Sequence, residues 1–180
     1  MVNLFFNWYE HIERQHEIDL CLQKNKEVFD NVIVVEGRPT FSELFALTND
    51  YPNDVNCFCN SDIYFPSTEI LNKIKYNECW ALSRYDIIKR KEVLFARRDS
   101  QDSWIFRGVV KNVVADFTKG KWGCDNRLAY EIQKSGYNIH NPSMTVKTIH
   151  VHSSNKRNHV RTSENVVPPP YLVLDPNVLI

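Results

Sequence analysis

Four short stretches bring together residue types that could do chemistry. Asn60-Ser61-Asp62 follows the apolar run Val55 to Cys59, which reads as a buried strand. Open α/β sheets bind ligands outside the carboxyl ends of such strands. A carboxylate there can hold a divalent cation, and hard oxygen ligands suit magnesium or manganese, which bridge diphosphates. The same tripeptide also reads as an Asx turn that ends the strand. His150 and His152 are separated by one residue in an alternating segment, so both rings could face one site and ligate a metal, or both could be solvated. Gly123-Cys124-Asp125-Asn126 opens a helical pattern. Asp125 there is either an ordinary capping residue or a general base held at a rigid helix start. In Ser100-Gln101-Asp102-Ser103-Trp104, Asp102 and Trp104 could bind a sugar through a carboxylate and an indole face; the plainer reading is a turn before a core tryptophan.

The elements that must position these residues alternate. Val2 to Phe6 reads as a strand, Glu10 to Phe29 as a helix carrying Ile18, Cys21, Leu22 and Phe29 on one face. Val32 to Val35 is a β-branched run expected to be covered on both faces. Thr40 to Leu47 and the segment from Ser67 through Ile74 read as helices, and Cys79 to Leu82 as a strand. This alternation predicts a parallel α/β sheet. In the second half, Trp104 to Phe106, Val113 to Phe117 and Met144 to His152 are strand candidates. Asp125 to Lys134 reads as a helix with Gly136 at its C-cap. Pro168, Pro169 and Pro170 force an extended path, so residues 1–180 read as one domain with a Pro-rich trailing segment from about residue 165.

Composition narrows the function class. With 22 basic and 22 acidic side chains the formal charge is zero, which argues against a nucleic-acid partner gripped by a bulk basic surface. No run approaches the roughly 20 apolar residues of a transmembrane helix, and Met1 to Phe6 lacks the pattern of a signal peptide. The five cysteines, Cys21, Cys57, Cys59, Cys79 and Cys124, include no C-x-x-C pair. They read as reduced thiols in a cytoplasmic protein.

The ordered series Asn60-Ser61-Asp62-Ile63-Tyr64-Phe65, Ala81-Leu82-Ser83-Arg84-Tyr85, Ser100-Gln101-Asp102-Ser103-Trp104 and Gly123-Cys124-Asp125-Asn126-Arg127-Leu128-Ala129 continues with Gly136-Tyr137, Asn141-Pro142-Ser143 and His150-Val151-His152-Ser153. It resembles the small GT-A-like glycosyltransferase domains of large algal viruses (chloroviruses) and some bacteria, over about Phe5 to Arg161. The resemblance implies a mixed, mainly parallel sheet flanked by helices. It also implies transfer of a sugar from a UDP- or GDP-sugar to a glycan or glycoprotein acceptor with Mn²⁺ or Mg²⁺, in the host cytoplasm if the chain is viral. Asn60-Ser61-Asp62 stands where such enzymes carry Asp-x-Asp; Asp62 keeps the metal-ligand position, Asn60 would hydrogen-bond ribose or a metal-bound water, and Ser61 belongs to the same cofactor-binding stretch. His150 or His152 matches the C-terminal histidine ligand, and Asp125, or second Asp102, the base of inverting members. Asn7, Trp8 and Tyr9 after strand one, Glu36 at the end of strand two, and the Gly120 to Gly123 loop complete the implied donor site. Two alternatives remain open on the residues alone: a metal-dependent phosphoesterase or nuclease, and a catalytically silent nucleotide- or glycan-binding module.

Overall fold

The computed structural model describes residues 1–152 and 162–179, so Ser153 and Arg161 of the resembling stretch lie outside the described residues. Five strands carry most of the main sheet: β1 (Val2–Trp8), β2 (Asn31–Glu36), β3 (Val55–Cys59), then β5 (Glu78–Leu82) and β8 (Ser103–Arg107). The sixth is β9 (Asn138–His140), and the order across the sheet is β2-β1-β3-β8-β5-β9. Pairings β1–β2, β1–β3 and β5–β9 are parallel, whereas β8 runs antiparallel to both of its neighbours. The expected mixed, mainly parallel α/β sheet is present.

Side chains alternate across each strand. Leu4, Phe6, Cys57, Cys59, Trp80 and Leu82 face a core closed by Ile18 and Cys21 of α1 (Gln15–Val28). Phe5, Phe58, Cys79, Ala81, Trp104 and Phe106 face a second core, closed by Phe41, Leu44 and Phe45 of α2 (Phe41–Leu47) and Leu128, Ala129 and Ile132 of α3 (Cys124–Lys134). Every residue of β3 is buried, because helices cover both of its faces. All five cysteines are buried free thiols, as small hydrophobes in these cores. Among the described residues, no helix is long and apolar enough to cross a membrane.

Several expectations need correction. β2 is an edge strand, and Val34 stays 41% exposed; a β-branched run does not distinguish edge from centre. Val113 to Phe117 forms no strand: the Ala115 and Phe117 carbonyls instead accept the Ser42 and Phe41 N–H groups at the start of α2. Glu69–Lys73 is a 3-10 turn rather than an α-helix. Within Met144 to His152, only Ile149–His150 is a strand (β10), because the Pro142 carbonyl draws the Thr145 and Val146 N–H groups into a turn. Trp104 is a core residue at 2% exposure, so it offers no face to a sugar.

The sequence reading also missed a second, four-stranded sheet, ordered β4-β10-β6-β7, in which β4 is Ile63–Tyr64, β6 Tyr85–Ile88 and β7 Lys91–Leu94. This small sheet positions the site. β10 pairs antiparallel with β4 and parallel with β6, so His150 sits opposite Ile63 on one side and Asp86 on the other.

Candidate active site

The parallel register of β1 on β3, Val2 with Val55 through Phe6 with Cys59, brings Asn7 and Asn60 to the same sheet edge. A cleft of about 1170 Å³ opens there, between the end of β3, the small sheet and the start of α3. Of the residues singled out from the sequence, Asn7, Tyr9, Asn60, Ser61, Asp62, Gly120, Gly123, Asp125, His150 and His152 line it. Trp8, Glu36 and Asp102 lie off it. Trp8 is still within β1 and donates its indole N–H to Asp19 at 3.0 Å; Glu36 is exposed at the end of β2.

Several of these side chains are committed to holding the cleft floor. Asn7 donates its amide to the Val35 and Gly37 carbonyls, tying β1 to the turn after β2. Ser61 donates to the Asn7 carbonyl at 2.6 Å, and Asn60 donates to Asp102 at 2.8 Å. Asp102 is 5% exposed and also accepts from Arg84 at 3.3 Å, so it braces the floor from beneath.

One wall is a chain of alternating charges. Arg14, at the start of α1, meets Glu17 at 2.6 Å and Asp62 at 2.8 Å. Asp62 also faces His150 Nε2 at 3.3 Å, His150 Nδ1 faces Asp86 at 2.7 Å, and Asp86 accepts from Arg84 at 2.9 Å. Burial alone would raise the Asp62 carboxyl, but His150 and Arg14 outweigh it and hold the group well below the usual carboxylate range. Burial disfavours the His150 imidazolium, yet Asp62 and then Asp86 raise its pKa on balance. His152 stacks on His150 with ring centroids 5.3 Å apart, and burial with repulsion from Arg14 and His150 lowers it.

The opposite wall is different. Gly123 (φ +78°) caps α3, and Asp125 follows in its first turn. Among the described residues Asp125 makes no ion pair; burial, with the Asp102 charge adding to it, pushes its carboxyl up to about 7. Beside it, Lys119 donates to the Cys59 carbonyl at 2.6 Å, and burial draws its ammonium down to about 8.

This arrangement can hold an anion and a cation together. Seven Lys and Arg side chains line the cleft against four Asp, although the whole chain is neutral. Such a local excess favours a polyanionic ligand. Asp62 Oδ2 and His150 Nε2 are 3.3 Å apart, about the spacing of neighbouring ligands on an ion whose bonds are roughly 2.0–2.2 Å. Asp86 on Nδ1 fixes the ring so that Nε2 is the nitrogen presented. Among the described residues, no group of three or more His, Cys, Asp or Glu is arranged to hold a metal ion. Were an ion held by this pair, its other ligands would come from phosphate and water, as those of magnesium commonly do. Arg14 already engages the same Asp62 oxygen and would have to share it.

Arg14, Arg84, Asp86 and Lys119 were not singled out from the sequence. Arg84 stood inside a resembling motif without a role; Lys119 adjoins Gly120; nothing in the local sequence marks Arg14 or Asp86. No protein-family model matches the chain, and no curated protein matches it.

Proposed function

We propose that the chain is a GT-A-like glycosyltransferase that moves a sugar from a UDP- or GDP-sugar to a glycan or glycoprotein. The observation that carries this reading is the pairing, in one cleft, of an ionised Asp62 beside His150 with an Asp125 whose carboxyl rises to about 7. Two like groups driven apart by their surroundings have different tasks: one keeps its charge, the other exchanges a proton.

In this reading the donor diphosphate lies among the cleft cations, with Arg84 and Lys119 offsetting its charge. Asp62 and His150 would hold Mn²⁺ or Mg²⁺, whose contribution is to neutralise charge on the departing nucleotide. Tyr9 and the Arg38 guanidinium stacked 4.9 Å over its ring line the cleft together, and this pair would meet the nucleobase. Asp125 takes the proton of the acceptor hydroxyl as that oxygen attacks the anomeric carbon and the bond to the diphosphate breaks. A single displacement of this kind inverts the anomeric centre. A carboxyl with a pKa of about 7 suits the role, since a base works best near the operating pH.

A second reading, a nucleotide-binding module without turnover, draws on the 2.8 Å Arg14–Asp62 contact, in which a guanidinium occupies the carboxylate that a metal would use. Thermal-shift measurements with UDP, GDP, UDP-sugars and GDP-sugars, with and without Mn²⁺, test both. The transferase reading expects a nucleotide diphosphate to raise the melting temperature, and more so with Mn²⁺. Stabilisation indifferent to Mn²⁺, with no donor turnover, supports the silent module. No stabilisation by any of them contradicts both.

A further inference from the structure

Trp122 lies on the cleft wall and is 44% exposed, whereas Trp80 and Trp104 are sealed in the core. A single exposed aromatic residue is ordinary on a protein surface. The setting of this one is not. Its loop runs between two glycines in the left-handed region, Gly120 (φ +79°) and Gly123 (φ +78°). The loop is fixed on both sides: Thr118 bridges Thr40, and the Trp122 backbone pairs with the trailing segment, N–H to the Asn165 carbonyl at 2.9 Å and carbonyl to the Val167 N–H at 2.8 Å. Lys119 is tied down by the Cys59 carbonyl at 2.6 Å. The backbone thus presents the indole from a braced loop, so little loop entropy is lost when a ligand covers it. Asp125 follows three positions later on the same wall.

A flat apolar face and a proton acceptor lining one cleft fit a pyranose well. A pyranose has a face of polarised C–H bonds, which pack on the electron-rich face of an indole, and a rim of hydroxyls that a carboxylate can engage. A serine or threonine side chain has a hydroxyl but no such face.

We infer that Trp122 is the stacking platform of the acceptor subsite, and that the hydroxyl delivered to Asp125 belongs to a pyranose already in place rather than to a protein side chain. This rests on the glycosyltransferase reading of the cleft and narrows its acceptor class.

The test is saturation-transfer NMR on the full chain with methyl β-D-glucopyranoside, methyl β-D-galactopyranoside and methyl β-D-xylopyranoside, against an acetylated Ser-Thr dipeptide amide. At least one pyranoside should receive saturation at its ring C–H protons, and the dipeptide should not. Trp122→Ala should weaken that pyranoside roughly tenfold or more, through loss of the apolar contact. Trp122→Phe should keep part of the binding. Should Trp122→Ala fail to fold, Trp122→Leu, which keeps apolar bulk without a ring, gives the same comparison. Equal pyranoside binding in the ringless variant, binding of the dipeptide alone, or no pyranoside binding overturns the inference. Failure of the underlying reading is seen separately, as a wild-type chain that no nucleotide stabilises.

Discussion

The two walls of the cleft handle the same residue type in opposite ways. On the small-sheet wall each aspartate has a cationic or imidazole partner: Asp62 has Arg14 and His150, and Asp86 has Arg84 and His150. On the α3 wall Asp125 is half-buried without an ion pair among the described residues, and Asp102 repels it from below. The first environment fixes negative charge, and the second makes charge conditional on pH. The contrast shows that function in this cleft follows from what surrounds each carboxyl rather than from its position on a strand end or a helix start.

The largest effect should come from removing the proton acceptor. Asp125→Asn keeps the shape of the side chain, and should slow transfer about 10²–10⁴-fold in steady-state assays while nucleotide binding holds. Turnover near the wild-type rate would remove Asp125 from the base role. Next, Asp62→Asn removes the charge that Arg14 and His150 share, and should weaken Mn²⁺-dependent nucleotide binding by about 10–100-fold, read by calorimetry.

A smaller effect sharpens how the α3 wall is held. A Cβ on Gly123 would lie 2.6 Å from the Tyr171 hydroxyl and 3.0 Å from the Val167 carbonyl, at a φ of +78° that side chains disfavour. Gly123→Ala should cost about 1–3 kcal/mol of stability in denaturant titration and slow transfer by displacing the Asp125 turn. An unchanged stability would mean that the trailing segment gives way freely.

The smallest effect reads the contrast through pH. Asp125 titrates near 7 in the folded chain against an ordinary 3.8, so between these values the folded state binds more protons than the unfolded one. Its contribution to stability is therefore most favourable at low pH and declines as pH rises toward about 7. Asp125→Asn should thus be more stable than wild type at pH 8, by about 1 kcal/mol because the group is partly open to the cleft, and the difference should shrink toward pH 5. A stability difference that does not change with pH would place Asp125 in an ordinary solvated setting. Transfer by wild type should fall as pH drops below about 7, where the base is protonated.

Much of this was legible in the sequence, for identifiable reasons. β3, β5 and β8 are short apolar runs with helices or strands on all sides, so their composition alone marks them. The placement of Asp62 at a strand end and of Asp125 at a helix start followed from those boundaries. The β6–β7 hairpin was not legible, because its two-residue turn is Lys89-Arg90, both at positive φ, where Asn-Gly is the usual signal. The charged wall was not legible because its pairs are remote in sequence: Arg14 and Asp62 are 48 positions apart, Asp86 and His150 64, Asp62 and His150 88. The second sheet brings His150 to Asp86 and beside Asp62, and that sheet consists of strands of two to four residues too short for periodicity to register.

The most direct test of the division between the two walls is one calorimetric series: UDP and GDP, each with Mn²⁺ and with EDTA, titrated into wild type, Asp62→Asn and Asp125→Asn. The account predicts that one nucleotide binds wild type and Asp125→Asn alike in the presence of Mn²⁺, and that EDTA or Asp62→Asn removes most of that affinity. Nucleotide binding that survives Asp62→Asn but fails in Asp125→Asn would contradict it.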